Sequence, residues 1–248
     1  MTTGKEVVKS NAELGVTKEM QDMPWGETLS SQDYNLPRID LVQGLSASAK
    51  TVSPGNWYHS QNNQDLGKEI GVVILDVVAG HMLKDETGNL IAIKWKSAQV
   101  KSFKPELITE DMIINRKYVQ GSKAGIVDAY CYIAILNQSE PCLITLKASG
   151  CKAARNLNSM LAKKVINNDG NLEVLPPFLK KFKFSSRWVE KGAQIKFWEP
   201  IIQPDGINEG GYLKAAAELA KDLKNKTIAH DVEESDTAEP ATGGAAPF

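Results

Sequence analysis

The chain has 248 residues, of which 42% are hydrophobic and 24% charged, enough for one large domain or two small ones. Glycine and proline, at 19 and 11 residues, are near ordinary usage, which excludes collagen-like, low-complexity and wholly disordered readings over most of the length. No apolar run reaches the roughly 18 residues of a membrane span, and the opening residues have no apolar signal core, so a soluble protein without membrane contact is expected.

The formal charge of -1 hides a division along the chain. Residues 1–83 carry 6 basic and 10 acidic residues, residues 84–196 carry 19 and 10, residues 197–227 carry 4 and 5, and residues 228–248 carry 0 and 5. A basic middle beside an acidic end suits a polyanion ligand shielded by the chain's own tail. A solubilising surface with an acidic linker has the same pattern.

Residues 1–35 mix charges with Asn, Ser, Thr and Gln without a sustained period, which predicts a flexible leader with at most a short helical turn. Order is expected from Leu36-Pro37 into Ile39–Val42, followed by a polar connection, the turn Ser53-Pro54-Gly55-Asn56 and a short segment at Trp57-Tyr58. β-Branched residues crowd Lys68 to Val78, a central strand. After the turn at Asp85–Asn89, Ile91, Ile93 and Trp95 alternate with Ala92, Lys94 and Lys96, giving a half-buried strand with a basic outer face. Residues 100–128 hold a short helix at most and a glycine-containing loop. AYCYIAIL and CLITLKAS then form a hairpin, with Tyr130 and Tyr132 on one strand face and Lys147 on the partner strand.

A helix is predicted from about Gly150 to Val165. At 100° per residue Lys152, Arg155, Ser159 and Lys163 share one arc, and Ala154, Leu157, Leu161 and Val165 the opposite one. KKFKFSSRWV and AQIKFWEPII make the last strand pair, with Phe182 and Phe184 between lysines, and a final helix spans Gly211 to Lys224. Five or more short strands with few helices predict a mainly β fold, an OB-fold-like barrel over residues 36–227. A three-layer α/β protein needs more crossover helices.

Phosphate-loop, dinucleotide, zincin and nucleophile-elbow motifs are absent. Cys131, Cys142 and Cys151 form no C-x-x-C pair, and His59, His81 and His230 are scattered, so no metal, cofactor, disulfide framework or catalytic residue is expected. Cys131 and Cys142 fall in apolar strand patterns and read as buried small hydrophobes. Glu106, Glu110 and Asp111 read as solvated, although a metal-dependent nuclease would draw on them.

Single-stranded nucleic acid fits better, because it needs cations for phosphates and ring faces for bases. The candidate cations are Lys94, Lys96, Lys147, Lys152, Arg155, Lys181, Lys183, Arg187 and Lys196. The candidate platforms are Trp57, Tyr130, Tyr132, Trp188 and Trp198, all of which compete with core roles. No residue is identified as a reader of the 2′-hydroxyl, so RNA is compatible with the same pattern. A barrel edge and a binding face look alike in sequence, so a homo-oligomer is compatible with it too.

Residues 228–248 should form an acidic, disordered tail that presents Pro247-Phe248 to a partner. This ending resembles that of bacterial single-stranded DNA-binding proteins and some bacteriophage ones, although Ala241–Ala246 separates the acidic residues from the Pro-Phe tip. The body resembles bacteriophage replication or recombination proteins over roughly residues 36–225. The resemblance is carried by Leu36-Pro37 before Leu41-Val42-Gln43, by Pro54-Gly55 before Lys68–Val78, by Lys147–Asn158 and by Lys183–Pro200. It implies an oligonucleotide-binding barrel in the cytoplasm of an infected bacterial host. Such a barrel coats single-stranded DNA and recruits replication or recombination proteins through its tail. The competing expectation is a non-enzymatic phage structural or accessory protein whose basic face meets another protein.

Overall fold

A computed structural model describes residues 36–44, 46–85, 89–115, 125–138, 140–166, 172–191, 195–224 and 228. The predicted leader, the tail beyond Ile228 and the Pro247-Phe248 tip lie outside the described residues. The fold is mostly β, with few and short helices. The strands are β1 (Arg38–Leu41), β2 (Trp57–His59), β3 (Gln64–Gly67), β4 (Glu69–Lys84), β5 (Leu90–Trp95), β6 (Gly125–Leu136), β7 (Glu140–Lys147), β8 (Lys164–Ile166), β9 (Leu172–Val174), β10 (Lys180–Lys191) and β11 (Ile195–Ile207). The helices are α1 (Glu110–Asn115), α2 (Cys151–Leu161) and α3 (Gly211–Lys224).

One sheet runs in the order β11-β10-β4-β6-β7-β1-β2-β3, with β5 also on β4, while β8 and β9 pair separately. β1 joins β7 in parallel and the other pairs are antiparallel. β4 is longer than its predicted Lys68–Val78 core, and it lies beside β10 along its first half and β5 along its second. The register against β6 shifts between Ile74 and Asp76, a bulge that adds one residue and bends the strand. Asp76 stands exposed at the bulge, its carboxylate accepting the Val77 N–H at 2.7 Å, which is how a charge is accommodated in so apolar a run. Farther along, Gly80 is obligatory, since a Cβ there would lie 2.4 Å from the Trp95 ring.

Curling makes the sheet an open half-barrel buried on both faces. The inner face packs Ile39, Trp57, Ile74, Tyr132, Ile144, Phe182 and Phe184 under α2. Outer-face residues, among them Val73, Met82, Cys131, Ile133 and Leu143, pack with Ala216 and Leu223 of α3. The two ends of the sheet meet at a seam, where Trp57 of β2 tilts against Phe184 of β10 with ring centroids 5.8 Å apart. Among the described residues no backbone ladder crosses it.

α2 follows its predicted amphipathicity: Ala154, Leu157 and Leu161 are buried, Lys152, Arg155 and Ser159 exposed. It ends before the predicted Val165 because Lys164–Ile166 pairs with β9 instead. Lys180 caps the end, its Nζ donating to the carbonyls of Met160 at 2.8 Å and Leu161 at 3.1 Å. α3 spans the residues expected of it. Ile228, at the start of the predicted tail, is buried and docked on the residues after β5. It donates its N–H to Gln99 at 2.7 Å and accepts from the Lys101 N–H at 2.9 Å.

Candidate nucleic-acid interface

β10 pairs with β4 only as far as Ser185, but with β11 as far as Lys191, so beyond Ser185 the two strands form an arm. Strand alternation places Phe182, Phe184, Ser186 and Trp188 in one inward row. Phe182 and Phe184 are covered by β4 and α2, whereas Trp188 lies past the last covering element and is 46% exposed. Trp198 is directly opposite it in the ladder, with ring centroids 5.4 Å apart and planes inclined at 57°.

These rings, with Phe197, Lys196, Gln43, Gly44, Pro54 and Ser149, line an open cleft of about 710 Å³ at the seam. Trp198 is held as its back wall. Gly55, at φ +90°, lies against the ring so closely that a Cβ would be 2.6 Å from it, and the Lys68 amine sits 5.9 Å from its centroid. A base inserted between two rings needs about twice the ~3.4 Å base rise, more than separates this pair. Stacking is therefore available on the open face of Trp188, with Trp198 as its support.

Two smaller clefts adjoin this one. Lys152, Asn156, Arg187, Glu199 and Pro200 border a space of about 180 Å³. Lys147, Ser149, Gln43, Asp40 and Pro200 border another of about 210 Å³. The fold thus gathers Lys147, Trp188, Lys196 and Trp198 around the seam, while Arg187, which alternates with Trp188 onto the other strand face, borders the adjoining cleft with Lys152. Their charge is partly neutralised. Arg187 donates through two nitrogens to Glu199 at 2.9 and 2.6 Å. Glu190 lies 3.8 Å from Lys196 and accepts from Trp188 Nε1 at 2.8 Å.

The other predicted residues are elsewhere. Tyr130 and Arg155 lie together on the inner side near the start of α2. The Arg155 guanidinium is held above its ordinary value, first by donating to the Tyr130 oxygen, and it is 3.3 Å from Asp128. Lys94 is tied to Glu110 at 3.4 Å, and Lys96 is exposed on the residue after β5. Lys181 and Lys183 alternate with Phe182 and Phe184 and so leave β10 from the opposite face, Lys183 within 3.6 Å of Glu69. Two candidate platforms are core residues and have no face to offer. Trp57 is 1% exposed against Phe184. Tyr132 is buried under α2, its hydroxyl 3.1 Å from the Ala154 carbonyl and 2.9 Å from Asn158 Oδ1. Alternation identified that strand face but not the helix covering it. Gln43, Ser149 and Lys68 had no periodic signal, and Gly55 was legible only as a turn.

The three cysteines are free and buried, and burial raises each thiol, Cys131 to about 12, which leaves them poor nucleophiles. Among the described residues no group of three or more His, Cys, Asp or Glu is placed to hold a metal ion, and no helix is long and apolar enough to cross a membrane.

His81 Nδ1 lies 3.4 Å from Asp128 on the side away from Arg155. Burial is the largest influence on the imidazole and, with Lys96, holds it below its ordinary 6.5 against the raising effect of Asp128. Between that depressed value and 6.5 the unfolded chain binds more protons than the folded one, so stability rises with pH through this window and is lost on acidification. The melting temperature should fall as pH drops below about 6.5, and His81→Gln should flatten the decline. An unchanged pH slope in the variant would assign the acid sensitivity to other groups.

A family model described as Pam3 phage gp34-like protein matches residues 93–229, more than half of the chain. The matched region takes in the Trp188–Trp198 arm and all three helices and ends one residue past the docked Ile228; β1 to β4 and the first half of β5 precede it. No curated protein and no solved structure matches the chain.

Proposed function

We propose that this chain, which belongs to the Pam3 phage gp34-like protein family, binds single-stranded DNA without sequence preference. It would coat and protect exposed strands during phage replication or recombination. The observation that carries this reading is the half-exposed Trp188 ring, backed by Trp198, in an open cleft wide enough for a base. Lys147 and Lys196 around the same seam, with Lys152 and Arg187 at the adjoining cleft, offer contacts to the flanking phosphates. We read the half-barrel as an elaborated oligonucleotide-binding barrel. A bent β4 shared between two neighbours and a helix covering the inner face support that reading. Partner recruitment through Phe248 rests on the composition of the tail. The apolar walls of the cleft and the pairing of its cations also suit an aromatic side chain of a protein partner, the phage accessory-protein reading.

The test is fluorescence anisotropy of labelled oligo-dT, with the matching duplex as control, across a salt series. Phosphates must compete with Glu199 and Glu190 for Arg187 and Lys196, so few counterions are released. Single-strand binding should therefore weaken with a slope of about -2 or shallower in log K against log salt, where each neutralised phosphate contributes about -0.7. Deleting residues 231–248 should tighten binding at low salt if the acidic tail shields the cleft. Absence of single-strand binding at low salt would overturn the proposal and leave the protein-partner reading.

A further inference from the structure

We infer that Gln43 is a positioning residue for the tryptophan platform, an inference that rests on the strand-binding role proposed for the cleft. Gln43 lies two residues past β1, at the start of the β1–β2 connection, and its own backbone is anchored. Its N–H donates to Ser46 Oγ at 3.0 Å, its carbonyl accepts from the Ser46 N–H at 3.0 Å, and the neighbouring Val42 exchanges backbone hydrogen bonds with Gly55 and Asn56 at 2.9 Å. The side chain then crosses the seam. Gln43 Nε2 donates to the Trp198 carbonyl at 2.9 Å, and Gln43 Oε1 accepts the Trp198 N–H at 2.9 Å.

A carboxamide carries a donor and an acceptor side by side, as a strand's peptide groups do, so Gln43 stands in for the missing neighbour of β11 at one residue. Both peptide groups of Trp198 turn toward Gln43 and away from β10. Trp188 and Trp198 are therefore a non-hydrogen-bonded pair of the antiparallel ladder, the class with the closer approach of side chains. Past Ser185 the arm has no β4 beside it, and among the described residues its attachments to the body include this amide pair, the Ser186 hydroxyl on the Gly55 carbonyl, the packing of Gly55 on the Trp198 ring and Pro200 beside Gly150. Fixing the arm before the strand arrives removes an ordering cost that stacking would otherwise meet.

The test is a double-mutant cycle on oligo-dT affinity with the full-length protein. Gln43→Met keeps the reach and loses the amide; it should weaken binding about fivefold to fiftyfold, up to the loss of one stack. It should also raise acrylamide quenching of tryptophan fluorescence in the free protein. In a Trp188→Ala background the same substitution should cost nothing further, because it acts through that ring. Gly55→Ala reaches Trp198 from the other side and should reproduce the loss if Gln43→Met does not fold. An equal loss in both backgrounds, or wild-type affinity in Gln43→Met, would overturn the positioning role while leaving strand binding intact. Failure of the wild type to bind oligo-dT would instead remove the proposed function.

Discussion

Replacing Trp188 by alanine should weaken binding to oligo-dT by about 1–3 kcal/mol, roughly fivefold to 150-fold, while leaving thermal unfolding nearly unchanged. The separation follows from where the ring sits. It is 46% exposed on an arm that extends beyond β4, and its indole N–H is satisfied by Glu190, so removing it opens no buried cavity. Glu190 complicates the outcome in a predictable direction. Freed from Trp188 it can draw closer to Lys196, which would remove a cation from the cleft and add to the loss. The measurement is anisotropy at two salt concentrations with a melting curve on the same sample. Wild-type affinity in this variant would show that bases stack elsewhere, with Tyr130 the next ring to examine.

Trp57→Ala should do the reverse, destabilising the fold by about 3–5 kcal/mol, the usual range for deleting a large buried aromatic side chain. Trp57 is 1% exposed and closes the seam against Phe184, where the ends of the curled sheet pack ring on ring. Its Nε1 is buried with no hydrogen-bond partner among the described residues, so the substitution also removes an uncompensated polar group, which places the expected cost toward the lower end of that range. Urea unfolding measures the loss, and affinity measured well below the midpoint shows whether the folded fraction still binds. A variant with wild-type stability and lost affinity would put Trp57 in the binding face and refute its assignment to the core.

The contrast between these two tryptophans marks the limit of what pattern reading can reach. Both follow the same sequence logic, an aromatic residue in a short strand near polar turns. A two-residue alternation divides a strand into faces but carries no label for which face another element will cover. Alternation places Tyr132 with Tyr130, yet α2 buries the first and leaves the second only partly buried. The same holds for charge. Arg187 and Lys196 were legible as cations beside rings, whereas Glu199 and Glu190, which pair with them, come into register only when β10 and β11 form their ladder. That pairing is why a shallow salt dependence is now expected where a count of lysines suggests a steep one.

The chain's own pattern determined the mainly β character, the β6–β7 and β10–β11 hairpins, the amphipathic faces of α2, the span of α3 and the placing of Cys131 and Cys142 in the core. Each of these depends on residues close together in sequence, through the periods of strand and helix and the conformational preferences of turn residues. Tertiary structure alone decided the bend at the β4 bulge, the covering of Trp57 and Tyr132, the pairing of the cations and the meeting of Gln43 with Trp198. Those contacts join residues as much as 155 positions apart, and they exist because a twisted sheet curls until its ends touch, a geometry that no local window of residues encodes.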